Sequence, residues 1–319
     1  MISFKYRLVK WGNFMRKVLV IGGTRFFGKK LVKTLINSGN EVTILTRGIV
    51  KDDFGDKVKR IKCNRKNKEE LKETLKNKKF DIVYDNICYS PNEALISTEV
   101  FNGKTKRYIV TSSAAVYNKK RGEMIKEYEF NPKDYEITFG DREDFSYAEG
   151  KRLMEAVFYK YSKFEVAMVR FPVVIGENDY TGRLNSYINS VIKEKKIYST
   201  KKDYKMNIIT EDEAGIFLEW LGKKDINGPI NAACLGEVSL SDIIEMIEEE
   251  TNVKAFVDSS IDIDDTSPYN DQLNLTMSTS YIRGFFLYRF KDAKSEMRQI
   301  IKEELRKEAE KWKVHLQKQ

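Results

Sequence analysis

The sequence predicts an α/β protein with a doubly wound parallel sheet and a smaller C-terminal lobe. From Met15 onward, short apolar runs of strand length alternate with segments that carry apolar residues at helical spacing. This alternation is typical of parallel strands that are covered by helices on both faces. The first apolar run ends in Gly22-Gly23 and leads directly into a helix, as a ligand-binding turn requires. After Pro172 the alternation loosens, and we assign the remaining chain largely to the smaller lobe.

The elements are justified by period and by their end signals. Apolar runs predict strands at 18–21, 41–46, 58–63, 80–84, 107–112 and 166–171, with one more at 230–234. Helical spacing predicts helices at 26–36, 71–75, 144–161, 184–192, 211–221, 239–250 and 294–311. The first helix carries Phe27, Leu31 and Leu35 on one face and ends near Ser38-Gly39. Residues 258–280 are polar and are predicted to be loop-rich.

Composition excludes several classes of protein. Among 319 residues, 41% are hydrophobic and 33% are charged, which allows a packed core and argues against disorder. No apolar run approaches the roughly 18–20 residues of a membrane-spanning helix. Three cysteines without C-x-x-C spacing and a single histidine, His315, argue against a disulfide framework, a metal site or a histidine-based triad. We therefore expect a reduced, cytoplasmic protein without a metal site.

The turn after the first strand predicts a dinucleotide site. It consists of Gly22, Gly23, Thr24, Arg25, Phe26, Phe27 and Gly28. Glycine lets the backbone approach a diphosphate, and the following helix offers unpaired N–H groups at its N-terminus. The glycine spacing is imperfect, because Arg25 stands where many such loops carry the middle glycine.

The second strand bears on the choice of coenzyme. Sites that prefer NAD usually place a carboxylate after this strand to hold the ribose 2′-hydroxyl, but here the chain reads Leu45-Thr46-Arg47-Gly48. Arg25 and Arg47 could both reach a 2′-phosphate, which suits the paired donors of a guanidinium. The sequence therefore favours NADP, with NAD as the alternative.

A tyrosine and a lysine predict proton-transfer chemistry. Tyr147 and Lys151 are four residues apart, so they share one face of a helix. An ammonium near a phenol stabilises the phenolate and lets it act as a general acid or base. The same spacing occurs at Tyr6/Lys10, Tyr159/Lys163 and Tyr198/Lys202, but only Tyr147 begins a long helix between the fifth and sixth strands. The fifth strand ends in serines, one of which could hydrogen-bond a carbonyl oxygen.

Taken together, GGTRFFG, TSSAAVY and YAEGK in this order resemble the extended branch of the short-chain dehydrogenase/reductase superfamily, whose members are NAD-dependent epimerase/dehydratase-like proteins. The resemblance implies a Rossmann-type sheet and hydride transfer at a hydroxyl or carbonyl carbon. It implies catalytic roles for Ser113, Tyr147 and Lys151, with Lys151 also on the nicotinamide ribose. Further cofactor-binding positions implied by the resemblance are Asn64 near the adenine, Asn86 and Tyr89 beside the nicotinamide, and Thr111, Ser112 and Phe171 at strand ends.

The same resemblance implies a division of the chain. Residues 15–171 are expected to form the NAD(P)-binding domain, with 206–235 packing back on it. Residues 1–14 precede the motif that starts at Met15, and we interpret them as an N-terminal extension or as the result of an upstream start site. Residues 172–205 and 236–319 form the substrate-binding lobe. The implied substrate is a small molecule, for which a nucleotide sugar is one candidate, and the family commonly pairs helices into homodimers.

Two other functions stay open. The GGTRFFG variant is similar to isoflavone-reductase-like proteins and to chloroplast stem-loop RNA-binding proteins, and some such relatives have lost catalysis. A net charge of +9 permits a nucleic-acid partner, and residues 57–79 hold eleven Lys/Arg against three Asp/Glu. Solvated charge is the commoner reason for such a strip. The remaining hypothesis is a cofactor-sensing regulator without turnover.

Overall fold

The computed structural model describes residues 15–117, 123–258, 269 and 274–316. The predicted extension at residues 1–14 and most of the polar segment at 258–280 lie outside these ranges.

The described ranges contain thirteen strands, of which the seven in the central sheet follow the predicted order and six short ones were not predicted. The thirteen strands are β1 (Lys17–Ile21), β2 (Glu41–Thr46), β3 (Val58–Lys62), β4 (Phe80–Asp85), β5 (Thr105–Ser113), β6 (Glu165–Phe171), β7 (Val173–Ile175), β8 (Lys196–Tyr198), β9 (Lys205–Met206), β10 (Ile208–Thr210), β11 (Gly228–Asn231), β12 (Val238–Ser239) and β13 (Phe256–Asp258). Seven of them form one parallel sheet in the order β3-β2-β1-β4-β5-β6-β11. The strand order reverses between β1 and β4, which opens a crevice at their carboxyl ends.

Helices cover both faces of this sheet. They are α1 (Phe26–Asn37), α2 (Lys68–Thr74), α3 (Pro91–Phe101), α4 (Tyr147–Tyr161), α5 (Arg183–Ile192), α6 (Glu211–Gly222), α7 (Leu240–Thr251), α8 (Ser280–Phe286) and α9 (Ala293–Leu316). Within β1, Val18 and Val20 join the core beneath α1 and α6, whereas Leu19 and Ile21 join the core beneath α2, α3 and α4. β1 is thus buried on both faces, which explains its nearly continuous apolar sequence, whereas the edge strand β3 is largely exposed. The predicted doubly wound, Rossmann-type sheet is confirmed.

The smaller lobe is built from α5, α7, α8 and α9 with short strand pairs. β8 pairs with β13 in parallel, and β9 pairs with β12 antiparallel. The apolar residues of α5 and α7 belong to the same core cluster as those beneath α1 and α6. None of the helices in the described ranges combines the length and the hydrophobicity that a bilayer crossing would need. The exact boundaries between the two parts of the chain stay a prediction.

Several elements differ from the sequence-based expectation. The helix predicted at 144–161 begins at Tyr147, because the Ser146 hydroxyl accepts the Glu149 N–H and caps it, and residues 142–144 form a separate 3₁₀ turn. The strand predicted at 230–234 runs from Gly228 to Asn231 instead. Helix α3 was not predicted, because buried polar residues such as Ser97 interrupt its apolar stripe.

Candidate functional site

A tight glycine turn connects β1 to α1. Gly22 and Gly23 have φ angles of 94° and 90°, in the left-handed region that favours glycine. A Cβ atom on Gly28 would lie 3.1 Å from the Cα of Gly23, so the first turn of α1 packs directly on the glycine turn. Arg25 caps α1 without a side-chain hydrogen bond, and the first turn contains no acidic residue. The first amides of α1 are therefore available to an anionic ligand.

A cavity of about 570 Å³ opens beside this turn, at the carboxyl ends of β1 to β4. Its volume lies in the usual range for small-molecule sites. Eleven of the predicted cofactor-binding residues line it, namely Gly22, Gly23, Thr24, Arg25, Phe26, Phe27, Gly28, Arg47, Asn64, Asn86 and Tyr89. The fold thus brings together residues from four separate strand ends around one crevice.

Asn86 contributes an unsatisfied donor to the cavity wall. Its side chain is 7% exposed, and its Oδ1 accepts a hydrogen bond from Thr111 Oγ1 at 3.0 Å. Its Nδ2 is buried and has no hydrogen-bond partner among the described residues. A buried donor without an acceptor costs about 1–3 kcal/mol. An acceptor-rich ligand such as a diphosphate would satisfy it, so the residues present fit a dinucleotide.

Two arginines lie at the edge of the same cavity. Arg25 and Arg47 both line it, and neither side chain makes a hydrogen bond or ion pair to another residue in the described ranges. The carboxylates that line the cavity are Glu93 and Glu143. Glu93 pairs with Arg65 and Lys66, and Glu143 pairs with Lys66. The two arginines therefore keep their charge available for an anion.

Arg65 is the most substantial residue that the sequence analysis missed. It is 4% exposed and donates to the Asp85 carboxylate at 2.8 Å and to the Ser97 hydroxyl at 2.6 Å. Burial lowers the pKa of Arg65, but the acidic groups around it, of which Asp85 acts most strongly, together raise the pKa overall. These bonds join the end of β3 to β4 and α3, which holds the cavity floor. Arg65 lies in a basic stretch whose lysines are mostly exposed, so its burial could not be predicted from the sequence pattern.

Other residues that the sequence did not single out also line the cavity. They are Leu45, Thr46, Ile49, Val50, Cys63, Lys66, Ile87, Glu93, Arg142, Glu143 and Tyr180. Burial and then the charge of Glu70 raise the pKa of the Cys63 thiol to about 11, so it is neutral near pH 7. A thiolate nucleophile in the cavity is thereby excluded.

Tyr147 and Lys151 lie next to the cavity but do not line it. Tyr147 is the first residue of α4 and is 50% exposed. Lys151 is 2% exposed, and its Nζ donates to the carbonyl oxygens of Cys88 and Thr111 at 2.7 and 2.8 Å. The ammonium lies 5.9 Å from the centre of the Tyr147 ring. The predicted pair thus shares one helix face, with the lysine buried beneath the tyrosine.

The remaining predicted residues cluster at the ends of β5 and β6, outside the cavity lining. The Ser113 Oγ accepts the Ala115 N–H at 3.2 Å and caps a short 3₁₀ turn. The Ser112 Oγ donates to Glu155, so its hydroxyl is committed to a buried carboxylate. The Phe171 ring packs edge-on against Phe27, with 5.8 Å between ring centres. In this arrangement Ser112 and Phe171 do not line the cavity; Phe171 packs against Phe27, which does.

Comparison with known proteins identifies the family of this chain. The profile of the NAD dependent epimerase/dehydratase family matches residues 18–206. Among curated proteins, a chloroplast stem-loop binding protein of 41 kDa from Arabidopsis thaliana is 36% identical over 117 residues. That match covers 33% of this chain, and it spans about a third, 31%, of the relative's length.

Solved structures share the fold over nearly the whole chain. The enzyme WbmG of Bordetella bronchiseptica in complex with NAD has a TM-score of 0.71 and 13% identity, covering 93% of this chain and 96% of its own. UDP-glucose 4-epimerase of Thermotoga maritima with UDP-glucose has a TM-score of 0.70 and 12% identity, covering 92% and 99%. At such identities the likeness establishes the architecture and leaves the substrate open.

Proposed function

The chain belongs to the NAD dependent epimerase/dehydratase family, and from this premise we propose that it binds a nicotinamide dinucleotide in the cavity above β1 to β4 and transfers hydride at a hydroxyl or carbonyl carbon. The observation that carries the proposal is the unsatisfied Asn86 Nδ2 beside the uncapped start of α1. The amide group of Asn86 and the first backbone N–H groups of α1 are hydrogen-bond donors that an anionic ligand would satisfy.

Within this proposal each catalytic side chain has one task. The residues that line the cavity would hold the coenzyme, which would supply hydride exchange with the substrate carbon. Tyr147 takes the proton from the substrate hydroxyl and gives it back when the carbonyl is reduced. Lys151 places a positive charge 5.9 Å from the centre of the Tyr147 ring. The Ser113 Oγ accepts a bond from Ala115, so its own hydrogen can be donated to the substrate oxygen.

A nucleotide sugar is the substrate class that we propose. It is supported by solved neighbours such as the Thermotoga epimerase, whose structure contains UDP-glucose. A sugar carbon that bears a hydroxyl can lose hydride while the hydroxyl oxygen loses its proton, which gives a ketone. Return of hydride to the opposite face of the carbonyl carbon, with return of the proton to the oxygen, gives the epimer. Following the 4-epimers of UDP-sugars by chromatography tests this class, and a panel of simple carbonyl compounds tests plain reduction.

We further propose that the coenzyme is NADP. Replacing Arg47 with alanine is expected to weaken NADPH binding by roughly 10- to 100-fold, the effect of losing a charged hydrogen bond, and to leave NADH binding almost unchanged. Fluorescence titration of each reduced coenzyme measures both affinities. Arg60→Ala is the matched control, because Arg60 pairs with Asp52 at 2.6 Å and does not line the cavity. Equal losses for both coenzymes, or no loss, would contradict the NADP assignment.

Nucleic-acid binding is the second candidate function, and one surface favours it. At the amino ends of the sheet strands, a cavity of about 810 Å³ is lined by eight cationic side chains against three carboxylates. We call this the amino-end surface; its cations are Arg16, Lys17, Lys79, Lys104, Lys106, Arg107, Lys223 and Lys224. The stem-loop binding relative from Arabidopsis adds support. Phosphate groups of an RNA backbone match such a surface.

The basic strip at 57–79 is a weaker candidate for the same role. Lys59 pairs with Glu41, and Lys68 pairs with Glu99. Arg65 is buried. Neighbouring carboxylates thus neutralise much of this strip, whereas Lys17, Lys79 and Lys106 of the amino-end surface are exposed and make no side-chain ion pair within the described ranges.

Charge reversal separates the two surfaces. Combined replacement of Lys17 and Lys106, neither of which belongs to the strip at 57–79, by glutamate is expected to weaken stem-loop RNA binding at least tenfold near 0.15 M salt. The slope of log affinity against log salt should fall by about 1 for each phosphate that the variant no longer neutralises. The control carries the same change at Lys59 and Lys72 of the strip. Filter binding over a range of salt gives both quantities. Weak wild-type binding, or an equal loss of affinity in the control, would reject the amino-end surface.

A further inference from the structure

Tyr89 lies between the cavity at the carboxyl ends of β1 to β4, which we call the coenzyme cavity, and the proposed catalytic pair of Tyr147 and Lys151. It follows β4 and lines the cavity, whereas Tyr147 and Lys151 do not. The centres of the Tyr89 and Tyr147 rings are 6.4 Å apart. The Tyr89 ring thus lies on the cavity side of Tyr147, beside which a nicotinamide would react.

Two cations hold the Tyr89 ring in this position. The Lys151 Nζ and the Arg142 Cζ each lie 4.6 Å from the ring centre. Cation–π contacts of this kind stabilise by about 0.5–2 kcal/mol each, depending on solvent exposure. Burial raises the pKa of the Tyr89 phenol, so the ring is uncharged near neutral pH. The ring consequently covers the Lys151 ammonium, which also donates to the carbonyl oxygens of Cys88 and Thr111.

The backbone of Tyr89 is fixed, so only its side chain can move. The Tyr89 N–H donates to Glu93 Oε2 at 2.6 Å. On the other side, a Cβ atom on Gly150 of α4 would lie 2.5 Å from the Tyr89 carbonyl oxygen, so helix and backbone are in direct contact. Opening a path therefore requires rotation of the side chain about its own bonds and leaves the strand end in place.

We propose that the Tyr89 side chain is a gate between the coenzyme cavity and the catalytic pair. In the closed position, its ring caps Lys151 and occupies space needed by the nicotinamide ribose. In the open position, the ring leaves Lys151, and the nicotinamide end of the coenzyme reaches Lys151 and Tyr147. Tyr89 is thus a positioning residue, and the inference rests on the proposed coenzyme site.

Removing the ring should favour only the nicotinamide end of the ligand. Tyr89→Ala is expected to tighten binding of the reduced coenzyme by about 2- to 30-fold, the factor that breaking one cation–π contact would cost the wild type. Tyr89→Phe keeps the ring and is expected to bind like the wild type. Half-coenzymes without nicotinamide or its ribose, 2′,5′-ADP for NADPH and ADP for NADH, should bind all three proteins equally. Calorimetric titration measures each affinity.

The half-coenzyme separates the possible failures. If it binds the wild type and Tyr89→Ala alike, the cavity is intact in the variant, and any change in coenzyme affinity belongs to the nicotinamide end. An unchanged or weaker coenzyme affinity in Tyr89→Ala would then overturn the gate and leave the coenzyme site standing. Absence of binding by every nucleotide to the wild type would overturn the coenzyme site and the gate together.

Discussion

Tyr147→Phe is expected to lower turnover by about 10²- to 10⁴-fold, the usual contribution of a positioned acid or base. The substitution removes only the phenol oxygen, and Tyr147 lies outside the coenzyme cavity. Coenzyme affinity is therefore expected to persist. The measurement pairs interconversion of a UDP-sugar substrate with a coenzyme titration on the same preparation, so that loss of chemistry is separated from loss of binding.

Tyr159 provides a matched control for this substitution. It lies on the same helix, α4, and is 50% exposed, like Tyr147. It also stands four residues before a lysine, Lys163. Tyr159→Phe is expected to retain full turnover. A Tyr147→Phe protein that turns over at the rate of this control would remove Tyr147 from the mechanism.

Glu155→Ala is expected to lower the free energy of unfolding by about 3–5 kcal/mol, as breaking a buried ion pair does. Glu155 and Arg170 are both 0% exposed, and the Glu155 carboxylate binds the Arg170 guanidinium through both oxygens at 3.0 and 2.5 Å. Arg170 also donates to the Tyr117 hydroxyl at 2.7 Å. Removing the carboxylate leaves a buried guanidinium without its counter-charge, between α4 and β6.

Urea-induced unfolding measures this loss, and two further variants show its cause. Glu73→Ala removes an exposed partner of Lys76, whose pair is expected to contribute less than about 1 kcal/mol. The double replacement Glu155→Leu with Arg170→Met removes both charges, and it is expected to recover much of the lost stability. A single Glu155→Ala variant as stable as Glu73→Ala would contradict the structural role of the pair.

The sequence predicted best where period and position agree. The apolar strands and the glycine turn define the sheet and the crevice because two-sided burial leaves a continuous apolar run that few other elements produce. Its place at the start of the helix between β5 and β6 favours Tyr147 over the three other tyrosines with the same spacing, and its catalytic role stays a prediction. The turn from Gly22 to Gly28 lines the cavity as predicted. Its residues could be predicted together because they are neighbours both in sequence and in space.

Residues that act through long-range contacts could not be predicted in this way. Arg65 reaches Asp85 and Ser97, which are 20 and 32 residues away in sequence. Ser112 was predicted to bind the cofactor because it lies at the end of a strand. In the structure its hydroxyl donates instead to Glu155, 43 residues away in sequence. The helices packed beneath a strand end decide which of its side chains face the crevice. The spacing of residues in the sequence does not reveal this packing.

The crystal structure of the protein soaked with millimolar coenzyme tests the central claim most directly. We expect continuous density across the carboxyl ends of the sheet, with the diphosphate on the first amides of α1 and within hydrogen-bond reach of Asn86 Nδ2. An empty crevice at that concentration, with coenzyme bound elsewhere or absent, would contradict the proposed site.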